Sequence, residues 1–287
     1  MNVSKPEVMR HIPFILGALA ALGMDYGPTR DLFASSFKRD YHTLIPFIPL
    51  ITIYLLYQKR KEIRDKMQYS YKLGAAGVIA GVVGYAIVLF FGRGLNPNDY
   101  STIVTLSSLV MLWGSFLFAY GRKAFTAALF PLLFLLFAVP VPAFIMNEII
   151  TFLQIGSTEF ANLLLWVSQV PYYRDGFVFQ LPGVIVEVAP QCSGIRSGLA
   201  LFITALLAGY LFLDSWWRRV VLIVCVFPIT MLKNGIRITT LTLLGAYVDP
   251  RILQSSLHRE GGIPFFILAL LLMAPILFFL KRREGKA

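Results

Sequence analysis

Val188-Ala-Pro-Gln-Cys192-Ser-Gly-Ile-Arg-Ser197 runs directly into Gly198-Leu-Ala-Leu-Phe-Ile-Thr-Ala-Leu-Leu-Ala-Gly-Tyr-Leu-Phe-Leu213, and this junction decides how the chain is read. The second part reads as a membrane-spanning helix once flanking residues supply its ends, since a hydrocarbon core needs about 20 apolar residues. The first part places Cys192 in the opening turn of that helix. There, unpaired backbone N–H groups and the positive dipole end favour a thiolate. A candidate nucleophile therefore lies at a membrane surface.

The composition supports the same class. Of 287 residues, 57% are hydrophobic and 14% charged, with a mean hydropathy of +0.70, far from the balance of a soluble domain. The fold class expected is an all-α polytopic membrane protein. The formal net charge of +11 points to cytoplasmic loops and anionic lipid head groups rather than to nucleic acid. Cys192 and Cys225 are the only cysteines. Cys225 lies inside an apolar run and reads as a small buried hydrophobe, so no structural disulfide is expected. Lys5 and Arg10 precede a short apolar stretch with no small-residue cleavage site, which reads as a retained first span.

Eight candidate spans follow: Ile12–Met24, Leu44–Tyr57, Leu73–Phe91, Ile103–Tyr120, Ala124–Val139, Gly198–Leu213, Val220–Leu232 and Ile263–Leu280. The basic clusters Lys59 to Lys66, Arg122–Lys123, Arg218–Arg219 and Lys281–Arg283 each fall after an even-numbered span. This parity puts both termini in the cytoplasm of an inner-membrane protein. Arg30, Lys38 and Arg39 fall outside and are balanced by Asp25, Asp31 and Asp40. The chain reads as one integral membrane domain, 1–287, with five N-terminal spans (1–139), an outer stretch (140–191) and a catalytic three-span region (192–287).

The outer stretch opens with Pro140-Val-Pro142, which ends the fifth span. The run to about Val170 mixes apolar residues with Asn147, Glu148, Gln154, Glu159 and Asn162. It reads as one or two amphipathic helices along the interface, because parity requires the stretch to begin and end on one side. Phe177–Leu181 and Val184–Val188 around Pro182-Gly183 read as an extracytoplasmic β-hairpin that delivers the chain to Cys192.

Parity also brings three reactive side chains to the outer face. Cys192 opens span six, Asn234 and Arg237 end span seven on one helical face, and His258 precedes span eight after Asp249-Pro250. A thiol, a guanidinium and an imidazole form a set suited to acyl transfer. Asn234 reads as a brace for the arginine, and Ser193 as a helix N-cap. Arg196, one turn from Cys192, has two readings: lowering the thiol pKa or binding lipid phosphate. Glu187 also has two: orienting a catalytic partner or meeting a basic group on a substrate. His11 and His42 read as loop residues. A transporter would place polar groups near the bilayer midplane in repeated halves, and no internal repeat is visible. A scaffold has no need of the gathered Cys, Arg and His. A metalloprotease lacks its His-Glu-x-x-His. No metal, cofactor or nucleic-acid partner is expected.

Cys192-Ser-Gly-Ile-Arg-Ser197, Asn234-Gly-Ile-Arg237 and His258, with the upstream Pro-x-Pro and Val-Glu-Val elements, resemble the exosortase/archaeosortase family over about Pro140 to Gly262. The resemblance implies a membrane cysteine transpeptidase that recognises a C-terminal sorting signal, made of a short motif, a transmembrane helix and a basic tail, on exported proteins. It implies Cys192 as nucleophile, Arg237 as catalytic arginine and His258 as the third catalytic position, the bacterial form. The run His258-Arg-Glu-Gly-Gly262 departs from the more usual His-Asp, so Arg259 is an alternative to Arg237 in the oxyanion role. The acceptor implied is a nucleophile on a lipid or envelope polymer.

Overall fold

The computed structural model describes residues 5–27, 30, 44–251 and 262–284. It divides into two compact units, Met1–Ile145 and Met146–Ala287. Among the described residues six helices are long and apolar enough to cross a membrane, while the apolar helices at His11–Met24, Phe47–Gln58 and Leu129–Ala138 are shorter. The class is the polytopic all-α one that composition predicts, with fewer full-length spans than the eight read from apolar runs.

The first unit contains α1 (Lys5–Met24), α2 (Phe47–Gln58), α3 (Arg60–Asp65), α4 (Tyr71–Phe91), α5 (Pro97–Ala127) and α6 (Leu129–Phe134), the last followed by a 3-10 turn, Leu135–Ala138. The pairing of α4 with α5 is built on small residues. Gly74, Gly77, Gly81 and Gly84 of α4 face α5, and a Cβ on Gly77 would stand 2.8 Å from the Cα of Gly114. Lipid offers no hydrophobic drive for helix association, so backbone-to-backbone packing of this kind supplies it. The other face of α4, with Leu73, Ile79, Val83 and Ile87, is exposed and suits lipid contact. Gly114→Leu is expected to destabilise the protein by about 3 kcal/mol or more, because α4 backbone leaves no room for the side chain. A detergent-unfolding titration checks this, and an unchanged midpoint would contradict the close contact.

The start of α5 is capped by Asn96, whose side chain accepts from Asp99 N at 2.8 Å, with Pro97 in the first turn. Thr102 Oγ1 donates to Pro140 O at 3.0 Å and Asp99 Oδ1 accepts from Ala143 N at 2.8 Å, so the Pro-x-Pro corner is tied down where the fifth apolar run ends. At the other end of α5 a kink at Gly121, φ +80°, breaks the helix. Tyr120 there shares a 2.8 Å hydrogen bond with His11. His11 thus lies in a helix and packs on α5, contrary to its reading as a loop residue.

The second unit is built on α7 (Ala143–Val167), strands β1 (Tyr173–Asp175), β2 (Val178–Leu181) and β3 (Val184–Glu187), then α8 (Ile195–Phe212), α9 (Trp216–Tyr247) and α10 (Gly262–Glu284). The stretch expected to form interfacial helices is one helix, α7, long and apolar enough to cross. Its polar residues are the reason for the difference. Gln154, Ser157 and Thr158 share the buried face with Met146, Leu153, Ala161 and Leu165, while Phe144, Phe152, Ile155, Leu163 and Trp166 are exposed. Such a division, polar groups against protein and large apolar ones outward, suits a helix that crosses the membrane. A crossing α7 adds a passage that loop parity left out.

Unit two has two chemically distinct ends. At one, Arg218 pairs with Glu284 at 3.1 Å, Glu284 accepts from Ser215 N at 2.7 Å, and Lys281, Arg282 and Arg283 surround them. At the other, the antiparallel sheet β1-β2-β3 packs Phe179, Leu181 and Val188 against Ala161, Leu165 and Ile238. The expected hairpin has Leu181 opposite Val184 around Pro182-Gly183, with Gly183 at φ +83°, and β1 adds a third strand. The helix α9 continues to Tyr247, so Asn234 and Arg237 lie within it rather than at its end. Thr239, Thr242 and Gly245, which dilute the apolar pattern, are buried against neighbours and let the helix continue.

Candidate active site

The path of the chain from β3 sets the position of Cys192. Val188 N donates to Phe177 O at 2.9 Å, which extends the sheet, and Gln154 Nε2 of α7 donates to Val188 O at 2.5 Å. Pro190–Cys192 then form a 3-10 turn in which Cys192 N donates to Ala189 O at 2.8 Å. Gly194 takes a left-handed conformation, φ +81°, and begins α8 at Ile195. A residue with a side chain at 194 would be strained by that φ, and its Cβ would stand 3.0 Å from Asn234 Cγ. Cys192 therefore precedes the helix proper rather than occupying its first turn, because the 3-10 turn and the left-handed glycine come between.

Asn234 is fully buried in α9, and its Nδ2 donates to Cys192 O at 2.7 Å. This bond fixes the main chain of the cysteine turn to the helix that carries Arg237. One turn further on, Arg237, Ile238 and Leu241 line a pocket with Val186, Glu187, Val188 and Cys192. Cys192, Arg237 and Glu187 thus line one small cavity with apolar walls. Asn234→Ala is expected to cost about 1–3 kcal/mol of stability, since it removes a buried hydrogen bond, and to lower activity at unchanged expression. A normal melting midpoint in Asn234→Ala would contradict the brace.

A family profile for the transmembrane exosortases matches residues 36–275. The chain belongs to the transmembrane exosortase family. Comparison with curated proteins and with solved structures returns no match. Family membership carries the general activity of a membrane protein-sorting cysteine transpeptidase, and the geometry of this exosortase can be set against the residues read from its sequence.

Cys192, Arg237 and Glu187 come together at the pocket, and Asn234 stands behind Cys192. His258 and Arg259 lie outside the described residues. Arg196 is exposed on the first turn of α8, and its expected register with Cys192 fails because Cys192 is not helical. Ser193 is not the N-cap: Gly194 takes that position, and the buried Ser193 hydroxyl has no hydrogen-bond partner among the described residues. Ser193 O instead accepts a long 3.5 Å contact from Ser157 Oγ. Beside the site, Arg174 of β1 forms a bidentate pair with Glu159, at 2.7 and 3.1 Å, which raises the guanidinium pKa above its ordinary value.

Two residues around this exosortase site have no site role in the sequence reading, Gln154 being named there only as part of the amphipathic stretch. Gln154 is buried and holds Val188, the last residue before the cysteine turn. Lys233 is 2% exposed inside α9 and donates to Ser197 Oγ. Both carried a signal, as polar groups inside otherwise apolar runs, and Lys233 stands immediately before Asn234.

Proposed function

We propose that this exosortase cleaves the C-terminal sorting signal of exported, membrane-anchored proteins and transfers them to an acceptor through a thioester on Cys192. The Cys192 thiolate adds to the scissile carbonyl, and Arg237 holds the oxyanion. Collapse breaks the C–N bond, and His258 as imidazolium protonates the departing amine. The now neutral His258 then accepts a proton from an acceptor amine as that nitrogen attacks the thioester, which regenerates the thiolate. A lipid or an envelope polymer supplies the acceptor nucleophile; water in its place makes the same chemistry hydrolysis. Arg259, next to His258, is the alternative cation for the oxyanion.

The observation that carries this reading is the shared pocket of Cys192 and Arg237, brought together from a turn and a helix far apart in sequence. The side of the bilayer is argued within unit two. Arg218, Arg219 and Lys281–Arg283 gather at the end opposite the sheet and the pocket, and basic clusters favour the cytoplasm. The pocket is then extracytoplasmic, facing substrates after export. Wild-type protein in vesicles with a reporter ending in a short motif, one span and a basic tail is expected to release or transfer the N-terminal portion. Failure to process any such tail encoded by the host would remove the sorting reading.

A further inference from the structure

Lys233 lies within α9, 2% exposed, with its ammonium donating to Ser197 Oγ. Ser197 Oγ in turn donates to Gly194 O at 3.1 Å. The adjacent Asn234 holds Cys192 O. Two consecutive side chains of α9 therefore grip the two sides of the cysteine turn. Among the described residues no carboxylate is paired with Lys233. One helical turn away on the same face is a second cation, Arg237, which lines the Cys192 pocket. A buried ammonium beside a like charge is costly. An anion forming at the neighbouring turn offsets that cost, and the thiolate of Cys192 is such an anion.

We propose that Lys233 is a positioning residue for Cys192: its ammonium fastens the Ser197–Gly194 side of the cysteine turn, and its charge favours the thiolate over the thiol. Among the described residues, Glu187 from β3 and Arg237 from α9 line the pocket with Cys192, Arg196 lies in the first turn of α8, and Lys233 of α9 reaches Ser197 in that same turn. The facing part of α7 contributes the neutral Gln154, Ser157 and Thr158, and Glu159 is engaged with Arg174. Glu187 opposes the thiolate and these three cations favour it, with Lys233 the most withdrawn from solvent screening. A neighbouring cation of this kind is the usual means of lowering a thiol's proton affinity. The inference rests on Cys192 as nucleophile, but its test needs no substrate.

The experiment follows alkylation of Cys192 by iodoacetamide against pH, in the full-length protein in lipid nanodiscs with Cys225→Ala as background. Lys233→Met is expected to raise the midpoint by about one pH unit, a roughly tenfold loss of thiolate at neutral pH, while Lys233→Arg keeps the midpoint near the parent's. A purely structural lysine would lower thermal stability without moving the midpoint. An unchanged midpoint in folded Lys233→Met overturns the proposal. If Lys233→Met does not fold, Lys233→Gln, which keeps a donor for Ser197 without the charge, decides on the same criterion. Cleavage surviving in Cys192→Ala would defeat the nucleophile assignment instead, and it leaves the alkylation result readable by itself.

Discussion

Cys192→Ala is expected to abolish processing of a sorting-signal reporter, with a rate loss on the order of 10⁴-fold or more, as for other residues that act as covalent nucleophiles. The loss is specific to the chemistry because the fold around the residue does not depend on its side chain. Asn234 binds the main-chain carbonyl of Cys192, and the 3-10 turn is closed by its main-chain N–H. Alanine keeps both bonds. The variant should therefore express, insert and melt like the parent while leaving the reporter intact. Cys192→Ser tests the same point differently: a hydroxyl in this turn is a far weaker nucleophile than a thiolate at neutral pH, so the serine variant should resemble the alanine one. Anti-reporter blots after reconstitution, with melting curves of each variant, separate lost chemistry from lost folding.

Arg237→Gln is expected to lower kcat by about 10²–10³-fold with KM little changed, the size of effect seen when one preorganised oxyanion donor is removed. Arg237 lines the pocket with Cys192 while the α9 backbone holds it in place. Glutamine keeps length and hydrogen-bonding capacity but no charge, so a loss confined to kcat marks charge stabilisation in the transition state. Arg237→Lys, with a point charge in place of a planar fork, should recover only part of the rate. A full-rate Arg237→Gln would move the oxyanion role to Arg259, and Arg259→Gln would then carry the kcat loss.

The sequence made the chemistry of the site more legible than its architecture. Cys192 and Arg237 were found because each is a reactive residue in an apolar setting, and the pocket brings them together. Parity alone did not place them, since it treated the stretch after Pro142 as returning to one face. In the structure α7 turns its Gln154, Ser157 and Thr158 inward. A polar stripe looks the same in sequence whether it faces water or protein, so periodicity gave the helix and not its surroundings. Ser193 and Gly194 illustrate a local competition: serine is the better N-cap residue by propensity, but the 3-10 turn ending at Cys192 shifts the helix start to the left-handed glycine. The length of α9 was hidden by Thr239, Thr242 and Gly245, which lower hydropathy yet are buried against other helices. Lys233 was the most readable of the missed residues. A lone cation inside a span is a functional signal in its own right, and Lys233 stands only four residues before Arg237.

The central claim is that the sorted protein passes through a thioester on Cys192. Full-length protein in nanodiscs, mixed with a matched signal peptide in the absence of acceptor and quenched in acid, can be digested and its peptides weighed. The account predicts the N-terminal fragment of the substrate attached to the peptide containing Cys192, released by hydroxylamine and absent from Cys192→Ala. Cleavage of the substrate by Cys192→Ala, or an acyl group carried on any other residue, would contradict it.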